Sequence, residues 1–305
     1  MDRAGDSVTL AYRGWSGFEL TMPSAGPPLI IDPPDAELLP RDQEVRLLIS
    51  HGHPEHIAGA RNHVGDEGRT APVSVIASAR VCRYLKRRSR VPADRFHPVA
   101  EGDVLTWPGT RIEVFGWRHM PLLPPELGGA LSHMGTLLRH PRVTMEIVKS
   151  AFHGPSAAPM IGFRVSLGDL TFLFYSEGLH RRTGRAEAER VGRRPPADIL
   201  VAAIEPEDVP GYADLVEATG CPTAVLYEAH RPWRERLALP LADLTSVHDQ
   251  LRQSNVAPHA LTPGQTLIMR SPGPEIVVRS NAAPSPTHAP HPRPILSRTK
   301  PSGSN

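Results

Sequence analysis

The chain has only two cysteines in 305 residues, Cys82 and Cys221, too few for a disulfide framework, which points to a reducing compartment. No uninterrupted apolar run approaches the roughly 20 residues that a membrane span requires. The opening, MDRAGDSVTLAYRG, has Asp2 and Asp6 where a secretory leader would carry its apolar stretch. A formal net charge of +2 gives no global field to draw nucleic acid or an anionic membrane. Aromatics are scarce at 5 %, leaving little to stack on bases. The expectation is a cytoplasmic protein with a small-molecule substrate, no membrane partner and no nucleic acid, its self-association left open.

What is present is a normal apolar fraction of 40 %, enough for a sizeable core, with abundant proline (34) and histidine (15). The prolines imply many short elements separated by turns. Residues 7–13 (SVTLAYR) and 18–22 (FELTM) alternate apolar and polar around Gly14 and Gly17, the pattern of two strands and a turn. Leu29-Ile30-Ile31, closed by Asp32-Pro33-Pro34, and Val45 to Ile49 read as buried strands. A helix is expected after His56, with Gly59 allowing close approach, and Ser78 is placed to cap a second helix over ARVCRYLKRRSR. Residues 104–106 and 111–115 form a hairpin pattern around Pro108-Gly109, and 161–167 and 171–175 another around Gly168-Asp169.

Ile199 to Ile204 and Thr223 to Tyr227 are further buried strands, with helices expected over Tyr212 to Thr219 and 241–254 and the last strands over 265–279. Residues 120–160 read as a loop-rich insertion, in which His133, His140, His153, Arg139 and Arg142 are candidates for substrate contact or a solvated flap. From 281 onward there is almost nothing to bury, so 281–305 is expected to be a disordered tail behind one domain of residues 1–280. Strands in both halves, with helices interspersed but no regular βα alternation, argue for an α+β architecture of packed sheets with helices outside. The run Lys86-Arg87-Arg88-Ser89-Arg90 suits a helix C-terminus facing water.

The chemistry concentrates in Ser50-His51-Gly52-His53-Pro54-Glu55-His56, directly after a buried strand. Three imidazoles and a carboxylate in so short a stretch are not core packing, because each needs a polar partner or water. On a loop after a strand, His51 and His53 can point to one side and Glu55 and His56 to another. That arrangement suits two adjacent metals.

This segment resembles the His-X-His-X-Asp-His motif of the metallo-β-lactamase superfamily, with Glu55 in the Asp place. Residues 7–34, with Gly14 to Gly17 and Ile31-Asp32-Pro33, resemble the opening of its ascorbate-6-phosphate-lactonase-like branch, although Trp15 stands where that branch often has histidine. Gly102-Asp103-Val104, His119 after RIEVF, Tyr175-Ser176-Glu177-Gly178, His230 after TAVLYEA and Pro263-Gly264 follow in the family's order. The resemblance implies a single-domain αββα sandwich and a dinuclear centre. By position, His51, His53 and His119 would form one metal site, and Glu55, His56 and His230 the second, with Glu177 bridging. It also implies two divalent transition metals, Zn first and Mn or Fe as alternatives. Such cations lower the pKa of a shared water and supply hydroxide to an ester, lactone, phosphoester or amide. Glu55 would orient that nucleophile and ferry a proton.

Both carboxylate positions carry Glu where the family has Asp, and one methylene moves a carboxylate by roughly 1.5 Å. The residues therefore leave open a differently ligated centre, a di-iron redox enzyme, or a non-catalytic binding protein.

Overall fold

The computed structural model describes residues 7–119, 134–152, 155–192, 197–270 and 277–280; the expected tail from 281 lies outside them, as do His133 and His153. Strands β1 (Val8–Gly14), β2 (Gly17–Thr21), β3 (Leu29–Ile31), β4 (Val45–Ile49), β5 (Val73–Ser78) and β6 (Phe96–Val99) begin one sheet. The second sheet takes β7 (Val104–Trp107), β8 (Thr110–Gly116), β9 (Ile161–Leu167), β10 (Leu170–Ser176), β11 (Ile199–Ala203), β12 (Thr223–Tyr227) and β13 (Ala257–Ala260). Strands β14 (Gln265–Met269) and β15 (Val277–Ser280) return to the first sheet beside β1, giving eight strands there and seven in the other.

The layers follow from side-chain alternation. In β10, Phe172 and Phe174 enter the core between the sheets, while Leu173 and Tyr175 join the cluster on the sheet's outer face. In β4, Leu48 faces the central core, and Val45, Leu47 and Ile49 face outward under a separate apolar cluster. Both faces of these strands are covered, so they read as continuous apolar runs rather than alternating ones. Helices α1 (Pro54–Val64) and α2 (Ala79–Lys86) cover the first sheet through Ile57, Ala60, Val64, Val81 and Leu85. Helix α3 is Pro141–Phe152. On the second sheet, α4 (Arg185–Gly192), α5 (Val209–Ala218) and α7 (Leu244–Gln253) supply Ala188, Val191, Tyr212, Val216, Val247 and Leu251, and the short α6 (Arg231–Arg236) lies between them in sequence. This is the expected αββα sandwich. Each fully buried aromatic such as Phe163 or Phe172 contributes about 1.5–3 kcal/mol by leaving water.

Three local expectations are corrected. Helix α1 starts at Pro54 with His53 as N-cap, not after His56, because proline's fixed φ is preset for the first helical position. Ser78 precedes α2 but makes no side-chain cap hydrogen bond. Part of the segment expected to be loop-rich is the twelve-residue α3, tied to α6 by Glu146 and Arg236 at 2.5 Å. Cys82 and Cys221 are free and buried in the two outer clusters, as packing residues, and burial raises both thiols to about 11. No helix among the described residues is long and apolar enough to cross a membrane.

Strands β3, β4 and β5 run parallel, as do β10, β11 and β12, and β8 is antiparallel to β9, which is antiparallel to β10. The C-terminal ends of β3, β4, β8, β10 and β12 therefore open on one edge. The two sheets are stitched there by the Ile161 amide donating to the Ser50 carbonyl at 3.0 Å.

Gly59 brings α1 onto the β3 exit, its amide donating to the Pro33 carbonyl at 3.0 Å, and an added Cβ would stand 2.4 Å from that oxygen. Gly59→Ala is expected to cost about 1–3 kcal/mol of stability by overpacking, read in chemical denaturation. Farther along α1, His63 is buried and pushed down to about 4, first by burial and then by the Arg69 charge. Its folded pKa lies below the unfolded value near 6.5, so the unfolded chain takes up the proton first. Stability from the neutral imidazole is complete above about pH 6.5 and is lost as pH falls towards 4. In thermal melts across that window, the wild type should lose more than His63→Leu does.

Candidate metal centre

Four of these strand ends place the site side chains. The loop after β4 carries His51 and His53, and the first turn of α1 carries Glu55 and His56. His119 follows β8, Glu177 follows β10, and His230 follows β12. Gly52 lies between the two histidines because an added Cβ would stand 2.3 Å from the Pro155 carbonyl oxygen. Pro155 thereby pins the loop.

Two groups of ligand atoms converge. One atom each from His51, His53 and His119 lie within 4.8 Å of one another, and so do His51, His56 and Glu177. His51 Nε2 and His53 Nδ1 are 3.2 Å apart. Glu177, 1 % exposed, meets four imidazoles: Oε1 lies 3.0 Å from His56 Nε2 and 3.4 Å from His230 Nε2, and Oε2 lies 3.4 Å from His119 Nε2 and 3.9 Å from His51 Nε2. Its two oxygens thus divide the histidines into pairs. Glu55 stands outside both converging groups; its carboxylate is 3.9 Å from His53 Nδ1, and its charge is felt at His230.

No family model matches the chain, and no curated protein matches it. Solved structures do. Igni18, a metallo hydrolase from the hyperthermophilic archaeon Ignicoccus hospitalis, superposes with a TM-score of 0.59 at 14 % identity, covering 87 % of this chain and 99 % of that one. The metallo-β-lactamase fold protein YhfI from Bacillus subtilis gives 0.53 at 12 % identity over 86 % and 99 %. CmlA, a diiron β-hydroxylase from Streptomyces venezuelae, gives 0.54 at 14 % identity over 87 % of this chain but only 54 % of that one. The chain has the metallo-β-lactamase fold.

Within that fold, the donor set fits divalent transition metal. Nitrogens bound tetrahedrally at 2.0–2.1 Å stand roughly 3.4 Å apart, close to the spacing of His51 and His53. Burial, with His56 beside it, holds His51 well below the usual histidine value, and burial with His119 pushes His53 down to about 4. Both are therefore neutral, as metal ligands must be. Burial opposes charge on Glu177, yet His230 and His56 outweigh it and hold the carboxyl well below its usual range. A buried anion faced by imidazoles and by Ser16 Oγ at 3.4 Å is a place for cations.

Residues not singled out as site residues in the sequence hold the ligands in place. Asp32, fully buried after β3, accepts from the Ser50 amide at 2.7 Å, from Ser50 Oγ at 2.5 Å, and pairs with His56 Nδ1 at 2.9 Å. Ser50 Oγ also meets His51 Nδ1 at 2.9 Å, so one carboxylate orients two histidines. Glu205, after β11, pairs with His230 Nδ1 at 2.9 Å and accepts from Arg234 Nε at 2.5 Å. Burial disfavours charge on His56 and His230, but Glu177 with Asp32 holds His56 well above its usual value, and Glu177 with Glu205 raises His230 to about 9. His180 Nδ1 accepts from the Arg182 amide, so Nε2 carries the hydrogen and donates to the Arg118 carbonyl at 2.9 Å, fixing the backbone beside His119. The legible signal was a carboxylate directly after a buried strand, shared by Asp32, Glu177 and Glu205.

Asp32→Asn keeps an acceptor for Ser50 but removes the charge that orients His56. It should weaken metal affinity about 10–100-fold, read by chelator competition on folded protein.

Proposed function

We propose that this chain is a metal-dependent hydrolase acting on a small molecule with an ester, lactone, phosphoester or amide bond. The observation that carries the reading is Glu177, whose two oxygens face four histidines while His53 completes a three-imidazole group with His51 and His119. His51, His53 and His119 would hold one divalent metal, His56 and His230 a second, with Glu177 between them. Zinc is the metal we favour, because imidazoles outnumber carboxylates in the donor set. Bound there, divalent metal would acidify water and polarise the scissile carbonyl or phosphoryl group.

The chain's own residues supply the rest. Asp32 and Glu205 hold the outer nitrogens of His56 and His230, which leaves the inner nitrogens directed at Glu177. Trp117 packs edge-on to His51 and stacked on His119, keeping bulk water from that side. Glu55, close to the centre but outside its converging atoms, is the group we assign to proton transfer towards the leaving group. The likeness of residues 7–34 to the lactonase-like branch favours a lactone or phosphate-bearing substrate.

A second reading rests on a specific pair of observations. Both motif carboxylates are Glu, and CmlA, among the structural neighbours, is a diiron β-hydroxylase. Carboxylate-rich centres suit iron.

Elemental analysis of protein purified without added metal separates the readings. About two equivalents of zinc or manganese, lost in His53→Ala, are expected. Iron with an oxygen-dependent product would replace hydrolysis by the redox reading, and metal that neither copurifies nor rebinds would remove both. On a substrate found by an ester, lactone, phosphoester and amide panel, Glu55→Gln should lower kcat about 10²–10⁴-fold with metal content unchanged.

A further inference from the structure

A cavity of about 780 Å³ is lined in part by Trp117, which also packs against His51 and His119. It lies where β5 meets α2, bordered by the ends of β6 and β8, the start of β9, and α4. Four arginines line it, Arg80, Arg83, Arg118 and Arg190, against two carboxylates, Glu101 and Glu187. Arg190 engages Glu101 at 3.1 Å, and Arg80 reaches the Ala157 carbonyl at 3.5 Å. The positive charge of the wall therefore exceeds the negative.

The lining includes the start of α2, which has no side-chain cap. Ser78 sits at the N-cap of α2 with extended backbone, φ −57° and ψ 151°, yet its hydroxyl makes no cap hydrogen bond. Serine is among the best N-cap residues because its oxygen satisfies first-turn amides. Here those amides receive no acidic side chain from the first turn either. Ser78 is 3 % exposed, lines the cavity, and buries Oγ with no hydrogen-bond partner among the described residues. Trp117, in the same wall and 6 % exposed, buries its indole N–H with no acceptor among the described residues. Two buried donors without acceptors, a helix N-terminus and surplus guanidinium charge all call for one thing, a multivalent oxygen acceptor.

The geometry points to this cavity as a binding site for the phosphate group of a small phosphorylated molecule, separate from the metal centre. The phosphate takes hydrogen bonds from the α2 first-turn amides and Ser78 Oγ, with Arg83 and Arg80 on the same helix. The cavity is far larger than an inorganic ion and its remaining wall includes Val99, Pro159, Met160 and Ile161, so the ligand's body is at least partly apolar. Trp117 lines the cavity and stacks on His119, so occupancy is felt at His119 without contact to the ligand atoms.

Isothermal titration of the full-length protein, metal content as purified, with inorganic phosphate tests this. Binding is expected, weakened at least tenfold in Arg83→Ala and in Ser78→Ala, and retained in His53→Ala. Arg83 is exposed, so its removal leaves the core intact even if Ser78→Ala melts early. Binding lost in His53→Ala but kept in both cavity variants would place the anion on the metal centre and overturn the proposal. No binding would overturn it as well. Acetate binding as tightly as phosphate would overturn the assignment to phosphate.

Discussion

A buried carboxylate in need of positive charge organises the edge of this molecule. Glu177 has almost no water to solvate it, and four imidazoles from three other chain segments stand in for that water. A buried charge left uncompensated costs several kcal/mol, so the loop after β4, the strand exit of β8 and the strand exit of β12 must all be held where they are. The backbone is bent to reach this state. Ser176, just before Glu177, has φ 51°, and the pairing of β10 with β11 shifts register at that point. Asp32 and Trp15, also at this edge, have φ 44° and 52°. Non-glycine residues with positive φ cluster where a site over-determines its backbone, and three of the five in the described residues lie here.

Around Glu177 the charges alternate outward. Imidazoles surround the central carboxylate, and carboxylates hold the imidazoles, Asp32 at His56 and Glu205 at His230. Arg234 closes the outer side by bonding both Glu205 and Glu207 at 2.5 Å. His56 and His230 therefore each have one nitrogen committed to orientation and the other turned inward. This is what makes a histidine a directed ligand rather than a mobile base.

Trp117 gives the edge its second character. The indole packs against His51 and His119, and the residue also lines the arginine-rich cavity at the start of α2. Trp117 serves both because it follows β8, whose end pairs with Ile161 beside Ser50 and lines the cavity together with Ser78. A fold with all its parallel strands ending on one edge gathers loop chemistry there.

Much of the sandwich was legible in the sequence because covered sheets leave uninterrupted apolar runs. VRLLI, TFLFY and TAVLY read as buried strands and are buried strands. The histidines were legible because polar groups at the end of such runs have no packing reason to be there. His51, His53, His56, His119, Glu177 and His230 do meet. What the text could not show is which groups are neighbours across the two sheets. Asp32 read as a turn residue, Glu205 had no signature beyond its position after a strand, and Ser78 read as an ordinary cap. Whether a side chain orients a ligand or is left without a partner depends on atoms 18 to 161 residues away in sequence. Local patterning set the elements and the edge on which chemistry collects. Only the stacking of the sheets decided that Glu177 faces four histidines, that Glu55 stands apart from them, and that Ser78 buries its hydroxyl beside a cluster of arginines, because burial and pairing are properties of distance, not of order along the chain.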